Sequence, residues 1–368
     1  MLWAIVVLAG CVRYSSRPWD PDATQSANDG LSSSGERTVD GPGGAEAGLP
    51  DGEVPKPDGE VPRPDAAPDT DAKVLLPDVA IDPPDAAPPK PDAPVPTGTW
   101  SPMSSTVGWS LNAIWGTSAT DIFAVGNHGT ILRCDGSVWS PMSSGTITDL
   151  LGVWGTGPSD VYAVGKKGEL LHYNGSGWSS ASSGVTQALE AVWGSGPADI
   201  HAVGWTDIVH FNGAVWSPAP VTTTGSLYAV GGTGPTTVFA GGWSGTLLRW
   251  DGASWSSVSS GTTLTLYGIF GFKGGDAFAV GGGGTILRFN GTSWTTMTTN
   301  TKDELYAVWG SSTSHVVAVG ELGRIQRFDG SSWSPMTSGT NSGLNGIWGV
   351  NAGLMYVVGA NGLVLRYQ

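Results

Sequence analysis

Between Leu111 and Gln368 one sequence unit recurs seven times, and a chain with that property is expected to fold as an array of like units. The first apolar run of each copy is marked at Trp115, Trp154, Trp193, Gly231, Phe270, Trp309 and Trp348, at intervals of 39, 39, 38, 39, 39 and 39 residues. Each copy holds four short runs separated by Gly-rich stretches. In the copy from Leu151 to Gly184 they read LGVWG, DVYAVG, GELLHYNG and SGWSSASS. Runs of this length, rich in Val, Tyr and Trp and bounded by turn residues, read as β-strands; no helical pattern of useful length intervenes. Asn-Gly or Asp-Gly precedes each fourth run (Asp135-Gly136, Asn174-Gly175, Asn212-Gly213, Asp251-Gly252, Asn290-Gly291, Asp329-Gly330). Such a pair is expected to supply the positive φ angles of a tight hairpin turn. Four antiparallel strands repeated at this period are the blades of a propeller. The fold class is therefore all-β: a seven-bladed β-propeller of four-stranded antiparallel blades.

The copies do not start where the domain starts. The fourth run is marked by Trp139, Trp178, Trp216, Trp255, Trp294 and Trp333, one fewer than the first run. The missing mark is Trp100, in the string GTWSPMSS, which resembles SVWSPMSSG and SSWSPMTSG at the ends of other copies. The last copy stops after its third run, at Gln368. Trp100 to Ser105 is thus expected to pair beside Leu363 to Tyr367 and close the ring, which removes the loose edge a cut between blades would expose. That places the propeller at residues 100–368, as a monomer. The recurring tryptophans are expected in the core, each removing ~150–250 Å² from water, an upper bound of roughly 4–6 kcal/mol apiece.

Residues 12–99 have another composition. Pro, Asp and Ala dominate, the heptads PDGEVPK and PDGEVPR stand in tandem from Pro50 to Arg63, and aromatics are nearly absent. A segment of this kind cannot bury enough apolar surface to offset its ordering entropy and is expected to be a disordered tether. It holds 17 of the 31 acidic and 7 of the 17 basic residues, so most of the net charge of −14 belongs to it. No basic patch follows in the repeats, which argues against nucleic acid as a partner. The first eleven residues, MLWAIVVLAGC, hold an apolar run too short to span a bilayer and suited to a signal-peptide core, although no Lys or Arg precedes it. Leu8-Ala9-Gly10-Cys11 resembles the lipobox of bacterial lipoproteins. That resemblance implies a signal peptide at residues 1–11, a lipid anchor on Cys11, attachment to a membrane and a place in the cell envelope outside the cytoplasm. The second cysteine, Cys134, fills a place held elsewhere by Tyr173, Phe211, Trp250, Phe289, Phe328 and Tyr367, as a small apolar substitute.

The pattern DVYAVGxxGTILRFDGxxW resembles BNR-like and photosystem II assembly factor-like propellers. It is also similar to the WGxGPxDVxAVG repeat proteins, often lipoproteins, of predatory and soil bacteria. The resemblance covers Trp100 to Gln368 and implies fold more than activity, since such propellers host binding proteins and hydrolases alike. Sialidases, the enzymatic relatives, carry Asp, Gly and Trp at offsets zero, two and five; here Asp135, Gly136 and Trp139 give zero, one and four. One basic residue recurs near the end of each third run, at Arg133, His172, His210, Arg249, Arg288, Arg327 and Arg366. Seven equivalent positions imply a structural or surface role. The five histidines lack metal-ligand spacing, no serine sits in a nucleophile elbow, and no cofactor or metal is expected.

Function is expected where the repeat is irregular. The position after the first Leu of each copy reads Asn112, Leu151, Glu190, Tyr228, Tyr267, Tyr306 and Asn345. The loops joining second and third runs carry Trp205 in one copy and Trp243 in the next. In a propeller both sets share the face at one mouth of the channel. Trp205, Trp243, Tyr228, Glu190, Tyr267 and Tyr306 are thus the candidate ligand-binding residues, a set of aromatics beside a carboxylate suited to a glycan or protein ligand. The reading is a non-catalytic binding or scaffold module. The alternative is a carbohydrate-active hydrolase or lyase using carboxylates such as Glu190 and Glu321.

Overall fold

The computed structural model describes residues 97–221, 223 and 225–368, so Cys11 and the chain up to residue 96 lie outside the described residues. Seven four-stranded antiparallel sheets make up the described fold. Their first strands, which number the blades from 1 to 7, are Leu111–Ser118, Leu150–Gly157, Ala191–Gly196, Leu227–Gly234, Leu266–Gly271, Leu305–Ser312 and Leu344–Asn351. Each touches the first strand of the next blade, and the seventh meets the first. The ring is closed as the repeat phase requires. Blade 7 runs through Leu354–Gly359 and Val364–Tyr367 and is completed by Trp100–Met103, with Trp100 opposite Tyr367 and Met103 opposite Val364. Past the strand, Thr99 N–H donates to the Gln368 carbonyl and Gly98 N–H to the Tyr367 hydroxyl, both at 3.0 Å.

The strand sequences follow from where each strand lies. Second strands such as Asp160–Gly165 are covered by the neighbouring blade on either side and are buried along nearly their whole length, hence their unbroken apolar run. Outer strands such as Trp139–Met142 expose their middle residues to solvent, and Pro141 denies a free edge one N–H donor. Seven buried clusters hold the blades, each shared by two neighbours. Within them a first-strand tryptophan lies on a glycine of the next blade. A Cβ on Gly155 would come within 2.8 Å of the Trp115 ring, and the same fit joins Trp348 to Gly116 across the closure. Blade 4 has Gly231 at the tryptophan position, and there the strands close up: a Cβ on Gly271 would lie 2.2 Å from the Gly232 carbonyl oxygen.

Two expectations need correction. The outer-strand tryptophans are not uniformly buried: all seven lie on the outermost strand of a blade, and only Trp139 and Trp333 are buried, while Trp100, Trp178, Trp216, Trp255 and Trp294 are half-buried. The hairpin before each outer strand does not use a pair of positive φ angles. Only the glycine adopts one (Gly136, φ 99°), while the Asp135 carboxylate accepts the N–H groups of Ser137 and Val138 at 2.9 Å, an Asx turn.

Candidate functional site

The turns between second and third strands and the segments that lead into each first strand lie at one mouth of the channel. In six blades that turn is a single 3-10 turn, as at Lys166–Gly168 and Trp243–Gly245. Blade 3, one residue shorter, turns tightly at Trp205 and Thr206, with Gly204 paired to Asp207. Trp205 takes a left-handed backbone (φ 42°), and its carbonyl accepts the Leu227 N–H at 2.8 Å. The deletion therefore fastens the blade 3 turn to blade 4, one residue before Tyr228.

The irregular position at the mouth divides into two kinds. Asn112 donates from Nδ2 to the Leu150 carbonyl at 2.8 Å, and Asn345 does the same to the Leu111 carbonyl at 2.9 Å. Both are buried and clip one blade to the next. The tyrosines instead form a half-buried arc over blades 4, 5 and 6. Tyr228 and Tyr267 have ring centroids 5.8 Å apart, Tyr267 and Tyr306 are 5.7 Å apart near edge-to-face, and the Tyr306 hydroxyl donates to Glu304 at 3.1 Å. Glu190, in blade 3, is half-buried, with its N–H on the Val203 carbonyl at 2.7 Å. Three of the six predicted residues are thus in direct succession; Trp205 is half-buried beside that arc in the chain path, and Trp243 is exposed on blade 4.

Residues that the repeat comparison overlooked share this face. Trp109, Ile147, Leu264 and Leu322 are exposed there along with Trp243, five of the eight large apolar side chains exposed among the described residues. Trp109 stacks on His128 with centroids 4.0 Å apart. Each stands alone in its own copy, so alignment shows no pattern; only the shared face collects them. Two ion pairs stand at this rim, Lys166 with Asp149 (2.9 Å) and Arg324 with Asp303.

The opposite face is built by rule. The aspartate that opens the second strand meets the recurring basic residue of the third: Arg133 with Asp121 at 2.7 Å, His172 with Asp160 at 2.7 Å, His210 with Asp199 at 2.8 Å and Arg288 with Asp276 at 2.8 Å. The basic group also lies over the ring two residues on, Arg133 being 5.2 Å from the Phe123 centroid. Arg249, Arg327 and Arg366 belong to blades whose second strands begin with Thr237, His315 and Leu354, without that aspartate. Blade 3 departs differently. Its ring position is His201, wholly buried, so the fold gathers Asp199, His201 and His210 although their spacing along the chain resembles no metal motif. Pairing of adjacent strands, invisible in linear spacing, is what brings them together.

No protein-family model and no curated protein matches the chain. Solved structures do. YCF48 bound to a D1 peptide aligns with a TM-score of 0.61 at 15% identity, over 73% of this chain and 96% of that one. YCF48 from Cyanidioschyzon merolae aligns at 0.60 and 19% identity, over 73% and 99%. The WD40 propeller domain of Doa1 aligns at 0.63 and 10% identity, over 73% and 95%. At these identities the likeness is one of fold. The chain carries a seven-bladed β-propeller.

Proposed function

We propose that the propeller is a non-catalytic binding module whose mouth face takes a protein ligand, presented outside the cytoplasm by a membrane anchor on Cys11. The carrying observation is the arc of Tyr228, Tyr267 and Tyr306, flanked by exposed Trp243 on the same face. Aromatic side chains offer large contact area at little entropic cost, and interface energy concentrates on such anchors. A related fold that holds a peptide, YCF48 with its D1 peptide, supports a protein ligand over a glycan. Glu190 and Glu321, the acids the hydrolase alternative would use, belong to blades 3 and 6 with two blades between them.

Two arrays test this reading with the purified chain, one of peptides and one of glycans, each probed with the native protein and with Tyr267→Ala. The expected result is peptide binding that the substitution weakens by about 2 kcal/mol or more. Binding confined to glycans, or unaffected by Tyr267→Ala, overturns it. The anchor is tested by metabolic labelling with a fatty acid: Cys11→Ser should abolish incorporation. Several acyl chains hold firmly, at ~0.8 kcal/mol per buried CH₂.

A further inference from the structure

Blade 3 differs from its sisters at a position deep in the sheet. Where His201 stands, the other blades have Phe123, Tyr162, Phe239, Phe278, Val317 and Tyr356. His201 pairs across the strands with His210, and Asp199, two residues earlier, projects from the same face of the sheet. The two imidazoles are stacked, with centroids 4.4 Å apart and planes 15° apart. Trp250 and Trp255 of blade 4 close the other side at 5.4 and 5.5 Å. His201 is 0% exposed, its Nδ1 has no hydrogen-bond partner, and its Nε2 lies 3.2 Å from Asp199 Oδ1 outside hydrogen-bond geometry. A neutral imidazole has one N–H and one lone pair to satisfy, and an apolar ring in the same place would have neither. The histidine therefore calls for a reason that packing does not supply.

We propose that Asp199, His201 and His210 bind a divalent transition-metal ion of the zinc class, through one carboxylate oxygen and one ring nitrogen of each histidine. The three ligand atoms lie within 4.8 Å of one another, a span that small side-chain rotations reduce to ligands about 2.0–2.2 Å from a common ion. Two imidazoles and one carboxylate suit zinc, copper or nickel and not calcium or magnesium, which prefer all-oxygen sets. The stacked rings cannot both aim a lone pair at one point, so one must turn. His201 is fixed in the core, whereas the His210 side chain is 24% exposed and has room to rotate. Three protein ligands leave a fourth position for water.

Blade 2 supplies the control. Tyr162 stacks on His172 at 4.5 Å and His172 reaches Asp160 at 2.7 Å, the same arrangement without the second imidazole. The test is calorimetric titration of the full chain with zinc chloride after chelator treatment, with bound metal measured after dialysis. The native chain should retain one zinc per chain and unfold at a higher temperature with it. His201→Phe, which restores the ring of blades 1, 4 and 5, and His210→Arg, which restores the Asp–Arg pair of blades 1 and 5, should each weaken zinc binding on the order of 100-fold or more. His172→Arg should leave it unchanged. Failure of the native chain to retain zinc overturns the proposal. So does undiminished binding by a folded His201→Phe chain, or equal loss from His172→Arg.

Discussion

At the hairpin face an aspartate from the second strand meets a basic residue from the third in blades 1, 2, 3 and 5, while at the mouth face the position after the first leucine changes from asparagine to tyrosine and back. The contrast has a geometric source. The aspartate and its basic partner belong to one blade, so where a copy carries both residues the pair forms within that copy. Mouth positions instead meet the adjoining blade, as Asn345 does at Leu111 and Tyr267 does at Tyr228 and Tyr306. Contacts within a blade keep a repeat regular, whereas contacts between blades let neighbours diverge together. A ligand surface on such a ring is therefore expected among the second kind.

The comparison holds only if both faces rest on one cooperative ring. Deleting residues 98–103 removes the outer strand of blade 7 and should abolish the single unfolding transition in thermal scans; a deletion variant that melts as the intact chain does would mean the faces are carried by separable parts. Within the ring, Trp139→Ala should cost about 3–5 kcal/mol, and Trp100→Ala, half-buried on the outermost strand, clearly less, as read by denaturant titration.

Smaller effects separate the faces themselves. Trp243→Ala should leave stability within about 0.5 kcal/mol, since the side chain is 51% exposed, while weakening a bound protein ligand by about 2 kcal/mol. Asp121→Ala should do the reverse, lowering stability by about 1 kcal/mol after allowance for the half-exposed Arg133, and leaving the ligand untouched. Ligand binding that responds to Asp121 and not to Trp243 would put the site on the other face.

The least effect is one of pH. Burial lowers the His201 pKa, so the unfolded chain takes up that proton first, and stability falls as pH drops below about 6.5. Burial of Asp199 acts to raise its pKa, but the nearby His201 imidazole and the bonds from Ser195 and His210 outweigh it and hold the carboxyl well below the usual range. Its contribution is thus kept until pH falls below about 4. His201→Phe should flatten the stability profile below about pH 6.5 in metal-free buffer; an unchanged slope there would assign the loss to other groups.

Much of this was legible in the chain because a propeller writes its period into its sequence. Seven evenly spaced first-run marks, five of them tryptophan, four runs per copy and one displaced copy of the outer run at Trp100 determined the strand order, the blade count and the closure. Those features depend on neighbours in sequence and on like positions 38 or 39 residues apart. The tyrosine arc was legible as a break in the period, though not as rings in contact. Trp109, Ile147, Leu264 and Leu322 had no repeat mates to set them apart, and His201 with His210 had no motif spacing. Those groupings were decided by the tertiary structure alone, because strand pairing and ring closure set side chains against each other by position on a face, and separation along the chain carries no record of that.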